Sequence, residues 1–284
     1  MKVAVIGANG QLGVDILNEL NSQGIDNVGL VHADIAIEDK EASKLCLESL
    51  VPDVVINTAA FHNVPKCEDE LAKAFEINGV GAKNLAELSN DLGFYLVHVS
   101  TDYVFDGVKN APYLESDSPL PLNVYGNTKL AGEYFVNAIS SSALNLRVSG
   151  IYGKSTCRAK GGVNFVELML KFAVERDEVK VVDDEFLTPT STKEIARQVV
   201  SICEKQPAGI AHATAEGSCS WYEFAKAIFE IKGMDVNLKK AAPGEFAMAV
   251  NRPKYSVLEN GTLKDLGINT FKPWREGLEE YLLS

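Results

Sequence analysis

The sequence has no apolar run approaching the ~18 residues that a membrane-spanning helix requires. Positive charge is in short supply: 27 Lys and Arg stand against 39 Asp and Glu, a net charge of −12. That balance argues against nucleic acid or an anionic membrane surface as a partner, because both require clustered cations. A small anionic ligand needs only a local positive site. Cysteine is sparse and unpatterned: the five (Cys46, Cys67, Cys157, Cys203, Cys219) are odd in number and include no C-x-x-C pair, which points to reduced thiols and a cytoplasmic protein. The four histidines (His32, His62, His98, His212) share no spacing that would make a zinc site, so no metal ligand is expected. The chain opens Met1-Lys2-Val3-Ala4-Val5-Ile6-Gly7. This is a strand running into a glycine turn rather than a charged and then apolar leader, and an unexported protein is expected.

Core-forming residues are plentiful. Hydrophobic residues make up 46% of the chain, with 12 Phe, 9 Tyr and 2 Trp, which excludes disorder as the main state. At 284 residues, one large domain, or a large one with a small appendage, fits best.

The first half alternates. Residues 2–6, 27–31, 53–57, 94–99 and 144–148 read as short apolar strands. Helical periodicity covers 11–23, 38–50, 68–91 and 122–139; the long third helix carries Ala72, Phe75, Val80, Leu85 and Leu88 as its apolar stripe. Such alternation predicts an α/β fold, a doubly wound parallel sheet of the Rossmann type covered by helices on both faces. Residues 1–150 would form the dinucleotide-binding core. Beyond 151 the rhythm loosens, with a loop at 153–162, helices near 163–176, 191–204, 220–232 and 274–283, and short strands near 179–182, 210–213, 236–239 and 254–257. Residues 151–284 are expected to supply a sixth strand and a small interleaved cap. Trp221 and Trp274 read as core anchors of that cap, and 183–185 as a solvated acidic turn, with a magnesium ion at an acidic subunit interface left open.

Gly7-Ala8-Asn9-Gly10-Gln11-Leu12-Gly13 is G-x-x-G-x-x-G between the first strand and the first helix. Glycines let the backbone approach a pyrophosphate, and the helix amino terminus offers free N–H groups and positive partial charge. The second strand should end near the adenosine ribose, where Asp34 stands and no Arg is present to hold a 2′-phosphate. NADH and NADPH both remain open.

Tyr125-Gly126-Asn127-Thr128-Lys129 is Y-x-x-x-K, which places phenol and ammonium on one helix face. A neighbouring cation favours phenolate and lowers a tyrosine's pKa, and such a tyrosine can protonate a carbonyl oxygen as hydride arrives at the carbon. Tyr222 and Lys226 share the spacing but lie far beyond the fifth strand. Ser100-Thr101-Asp102 sits at the carboxyl end of the fourth strand, the edge where ligands bind in open α/β sheets.

Gly7/Gly10/Gly13, Asn57-Thr58-Ala59-Ala60, Ser100-Thr101-Asp102 and Tyr125/Lys129 together resemble the extended short-chain dehydrogenase/reductases. The stretches from Ser100 to Gly107 and from Pro121 to Glu133, with Val64–Glu68, Asn164-Phe165, Thr188-Pro189-Thr190 and Arg252–Ser256, are similar to the branch that reduces dTDP-linked 4-keto-6-deoxy sugars. The resemblance implies reduction of a dTDP-sugar's 4-keto group to give dTDP-L-rhamnose, with NADPH or NADH as cofactor. It implies that Tyr125 is the proton donor, that Lys129 binds the nicotinamide ribose and depresses the Tyr125 pKa, and that Thr101 hydrogen-bonds the sugar 4-oxygen. Gly7, Gly10, Gln11, Leu12 and Gly13 would line the pyrophosphate, Asp34 and Ile35 the adenine, and Ala59, Ala60, Phe61 and His62 the cofactor's middle. Asp102, Asn164 and Arg252 would meet the substrate. A homodimer is allowed.

Two segments depart from that branch. Gly150 stands where it usually has a Trp against the substrate, and Glu185 and Leu187 replace its usual Gln and Gly. Two other readings share the layout: a nucleotide-sugar epimerase, and a non-catalytic NAD(P)-binding subunit resembling the regulatory subunit of methionine adenosyltransferase. A dehydratase is disfavoured, because Tyr103 occupies the place of the second acid/base that elimination needs.

Overall fold

The computed structural model describes residues 1–155, 162–242, 244–246 and 250–284. Cys157 and residues 156–161 of the expected loop lie outside the described residues. The first half runs β1 (Lys2–Ile6), α1 (Gln11–Ser22), β2 (Asp26–Leu30), α2 (Lys40–Leu50), β3 (Val54–Asn57), α3 (Val64–Asp69), α4 (Leu71–Phe75), α5 (Gly81–Leu92), β4 (Tyr95–Thr101), α6 (Val124–Ile139) and β5 (Ala143–Val148). The second half adds β6 (Ile151–Tyr152), α7 (Phe165–Glu175), β7 (Val179–Val181), β8 (Phe186–Leu187), β9 (Thr190–Ser191) and α8 (Thr192–Lys205). β10 (Gly209–His212), β11 (Cys219–Ser220), α9 (Trp221–Ile231), β12 (Leu238–Lys240), α10 (Gly261–Asp265) and α11 (Trp274–Leu283) follow.

Six strands form one parallel sheet in the order β10-β5-β4-β3-β1-β2. Alternate residues of a strand face opposite ways, so two cores form. Val3 and Val5 pack with Leu12, Ile16 and Leu20 of α1 and with Ile195, Val199 and Ile202 of α8. Ala4 and Ile6 pack with Leu47 of α2, Leu85 and Leu88 of α5, and Val136 of α6. A doubly wound, Rossmann-like sheet results. The chain leaves β1 for the edge strand β2 and returns on the other side of β1 as β3, so a crevice opens beyond their carboxyl ends. The third core lies in the second half, where Tyr152, Val166, Phe224, Ile228, Leu278 and Tyr281 pack together, with Phe165, Trp221 and Trp274 against them.

Two elements differ from expectation. The single helix over 68–91 is broken into α3, α4, a π-helical turn at Glu76–Val80, and α5. The cause is Asn78, buried in that turn: its Oδ1 accepts from Phe61 N at 2.8 Å and its Nδ2 donates to Phe61 O and to Thr128 Oγ1, both at 3.0 Å. Such bulges gather at functional sites, and this one ties the loop after β3 to α6. Ala72 and Phe75 of the expected apolar stripe consequently face solvent. Residues 254–257 form no strand; they make one bridge instead, Tyr255 to Phe186, with Phe186 N donating to Lys254 O and Ser256 N to Phe186 O.

Candidate active site

A cleft of about 630 Å³ opens at the carboxyl edge of the sheet. Its cofactor end is built by the glycine turn. Gly7 has φ +81°, and a Cβ there would stand 2.5 Å from Thr58 Oγ1. A Cβ on Gly13 would stand 2.4 Å from Gly7 O. Only bare backbone lets the turn close this tightly. Gly10 is the N-cap of α1 and offers no side chain to its first N–H groups, so these remain for an anion. Gly10, Gln11 and Leu12 line the cleft there, facing Thr58, Ala60 and His62 from beyond β3. A turn closed on bare backbone, at a helix start without a side-chain cap, fits the diphosphate of a dinucleotide.

The other expected cofactor residues lie behind or beside this surface. Gly7 and Gly13 form the back of the turn. Asp34 is exposed beyond β2 with its carboxylate accepting from Val31 N at 2.9 Å, and Ile35 is buried in the core against α2 and α5. Ala59 N donates to Asn57 Oδ1 at 3.1 Å, and Phe61 N to Asn78. None of these lines the cleft.

At the cleft floor, Asn123 caps α6 by accepting from Gly126 N at 2.8 Å, which starts the helix at Val124 and puts Tyr125 in its first turn. Gly126 allows the close approach, since a Cβ would stand 2.3 Å from Tyr103 O. Burial pushes the Tyr125 pKa up, and the nearby Thr101 hydroxyl only partly counters the rise. Tyr125 is therefore a protonated phenol at neutral pH, the form that gives a proton to a carbonyl oxygen. This reverses the sequence-based expectation of a depressed pKa. The physical reason is the place of Lys129: its Nζ donates to Val99 O at 2.7 Å and meets His98 Nε2 at 3.3 Å, against β4 rather than the phenol. Lys129 is almost wholly buried, and that burial, opposed by Glu133, lowers its pKa to about 8.

Asp102 lines the cleft but is buried beneath three hydroxyls. Ser149 donates to its Oδ2 at 2.8 Å and Thr101 to its Oδ1 at 3.0 Å, with the Ser256 hydroxyl close by. Burial raises its pKa and these bonds counter the rise. Arg252 reaches the cleft too, and among the described residues its buried Nε has no hydrogen-bond partner. Asn164 does not line the cleft. Its Oδ1 caps α7 on Glu167 N, and its Nδ2 donates to Gly153 O at 2.8 Å and to Tyr281 Oη at 3.0 Å. Its neighbour Phe165 reaches the cleft instead.

Several lining residues were not singled out by sequence as site residues. Trp221, read as a core anchor, lies in the cleft wall with Phe165, 4.5 Å between ring centroids, and with Phe224. Glu185, read as part of a solvated turn, is half-buried in the same wall near Arg252, its backbone carbonyl accepting from Trp221 N at 3.4 Å, with burial raising its pKa and Arg252 countering the rise. Tyr103, Phe186 and Leu187 complete that wall. Gly150 has φ +55°, and a Cβ there would stand 2.7 Å from Leu187 Cδ1 and 3.1 Å from Thr188 O. A Trp at 150 would be strained on this backbone, and Trp221 and Phe165 provide the aromatic surface. The only available signal for Trp221 was the Ser220/Glu223 capping box, which marks it as the first residue of a helix without saying where that helix begins in space.

A dinucleotide cradle that ends beside a protonated phenol is the working arrangement of a nicotinamide-dependent reductase, and fold and site together assign the chain to that class. Its whole length, residues 1–284, matches the family described as RmlD substrate binding domain, and the chain belongs to that family. It is 40% identical over 281 residues to the spore coat polysaccharide biosynthesis protein SpsK of Bacillus subtilis, covering 99% of this chain and 96% of that one. A solved dTDP-4-dehydrorhamnose reductase of Clostridium acetobutylicum is 39% identical with a TM-score of 0.94, covering 99% of this chain and 98% of that one. The Bacillus anthracis enzyme of the same name, solved in complex with NADP, is 35% identical with a TM-score of 0.94 and the same coverage. No described helix is long and apolar enough to cross a membrane, and the described residues hold no group of three or more His, Cys, Asp or Glu placed for a metal.

Proposed function

We propose that the chain reduces the 4-keto group of dTDP-4-dehydro-L-rhamnose to give dTDP-L-rhamnose, with NADPH or NADH as cofactor. The observation that carries this reading is the Tyr125 phenol beside Thr101, both lining the cleft that begins at the glycine turn. The bound cofactor supplies hydride to the carbonyl carbon. Tyr125 gives its phenolic proton to the oxygen, and the Thr101 hydroxyl turns from Asp102 to hydrogen-bond the same oxygen. Until then Asp102, buried under three hydroxyls, holds Thr101 in place. Arg252, with an unpartnered Nε, meets the sugar nucleotide's diphosphate, whose charge the otherwise acidic chain must hold locally. Residues 151–284, apart from β10 and α8, act as the substrate cap, because Phe165, Phe186, Trp221 and Arg252 all come from that half. The setting is cytoplasmic: the described cysteines Cys46, Cys67, Cys203 and Cys219 are all free thiols.

The test mixes purified protein with NADPH or NADH and dTDP-4-dehydro-L-rhamnose and follows nicotinamide absorbance. Oxidation with formation of dTDP-L-rhamnose is expected. Cofactor binding without oxidation by this or any other keto-sugar nucleotide would replace the reductase by a non-catalytic binder. Inversion at carbon 4 with no net oxidation would replace it by an epimerase.

A further inference from the structure

Behind Lys129 lies a line of buried groups with one consistent arrangement of protons. Asn57 ends β3 and is fully buried. Its Oδ1 accepts from Ala59 N at 3.1 Å, which identifies the other end of the amide as nitrogen. Asn57 Nδ2 therefore donates to His98 Nδ1, 3.1 Å away. Burial holds the His98 pKa well below its usual 6.5, so the ring is neutral. A neutral imidazole that accepts at Nδ1 carries its proton on Nε2. That N–H points at Lys129 Nζ, 3.3 Å away. An ammonium has no lone pair to receive it; a neutral amine has one. The Nζ hydrogens are directed at Val99 O, 2.7 Å away.

We infer that His98, its tautomer set by Asn57, is a positioning residue that admits Lys129 to the place against β4 only as a neutral amine, and turns the ammonium out into the cleft toward the cofactor. This deepens the reductase reading and rests on it. On protonation, Nζ takes one proton from solvent, the Nε2–H···Nζ bond is lost, and no covalent bond breaks. Other groups face the same ammonium. Glu133 lies one turn further along α6, but its carboxylate is held by Arg147 of β5 at 2.7 Å and by Ser100 of β4 at 2.5 Å. Tyr125 lies one turn earlier as an uncharged phenol. Burial, opposed by Glu133, lowers the Lys129 pKa to about 8, so the neutral amine is accessible near neutral pH.

Two measurements on the whole chain test this. In ¹⁵N-histidine-labelled protein, the His98 signals (assigned by their loss in His98→Gln) are expected to show a pyridine-type Nδ1 and a pyrrole-type Nε2 at neutral pH. The reverse pattern, or an imidazolium, overturns the inference; if His98→Gln does not fold, His32, His62 and His212 are replaced by Gln in turn and His98 is assigned by elimination among the four histidines. NADPH affinity of the wild type is expected to weaken above about pH 8, tenfold per pH unit, as the ammonium is lost. A glutamine side chain can accept from an ammonium, so His98→Gln should weaken NADPH binding several-fold at pH 7 and move the alkaline limb upward. Uniform weakening with the limb in place would leave His98 a merely structural residue and refute the proposal. NADPH titration needs no sugar. Failure of the reductase reading therefore appears separately, as normal cofactor binding without turnover.

Discussion

Replacing Glu133 by Gln removes one charge and keeps the shape of a side chain on which both fold and site depend. Glu133 and Arg147 are each 1% exposed. Arg147 donates to the carboxylate through Nε at 3.0 Å and NH2 at 2.7 Å, and Ser100 adds a third bond at 2.5 Å. The guanidinium also lies 5.0 Å over the Phe105 ring. With an amide in place of the carboxylate a buried cation loses its counter-charge, which costs about 3–5 kcal/mol. Over 284 residues, an unfolding entropy of about 2.1 cal/mol/K per residue makes about 0.6 kcal/mol/K, so Tm should fall by about 5–8 °C. Thermal unfolding followed by circular dichroism measures it directly. Turnover should fall as well, because Ser100 adjoins Thr101 and Glu133 favours the Lys129 ammonium. The double variant Glu133→Leu, Arg147→Met should regain most of the lost stability, since an apolar pair of similar volume needs no desolvated charge. A Glu133→Gln protein within about 0.5 kcal/mol of wild type would show that the buried pair does not hold these elements together.

Tyr125→Phe should cut kcat by about 10²–10⁴-fold while NADPH affinity, read by fluorescence titration, stays within twofold; normal turnover would remove Tyr125 from the proton-donor role. Trp221→Ala should raise the KM for the sugar nucleotide by up to about tenfold, from the loss of an aromatic contact, with NADPH affinity unchanged; steady-state kinetics with each substrate varied decides it. Burial and Arg147 hold the His212 pKa down to about 3, against 6.5 when unfolded. Between those values the unfolded chain binds a proton that the native one refuses, so this histidine's contribution to stability is present above pH 6.5 and is lost as pH falls toward 3. Urea midpoints across that window should decline less steeply in His212→Gln, and parallel curves would refute the assignment.

The parallel strands, the glycine turn and the Tyr125/Lys129 spacing were legible because each depends on residues a few positions apart. Local pattern failed where a distant partner intervened. Phe75 sits in a plausible apolar stripe, yet Asn78 reaches back to Phe61 and across to Thr128, opens a π-helical turn and leaves Phe75 exposed. Tyr255 and its neighbours read as a strand but find only single bridges, Tyr255 to Phe186 and Leu258 to Tyr113. Trp221 reads as a core aromatic, and only the docking of α9 brings it to the cleft.

By itself the sequence determined the class of fold and the local spacing of the candidate residues: apolar alternation specifies a covered parallel sheet, and bare backbone at Gly7 and Gly13 permits the tight turn after β1. Tertiary structure alone decided their protonation states. The lowered Lys129 pKa and the raised Tyr125 pKa follow from burial, and the contacts of Lys129 and His98 from partners on β3 and β4. Those groups meet only when strands far apart in the chain lie side by side.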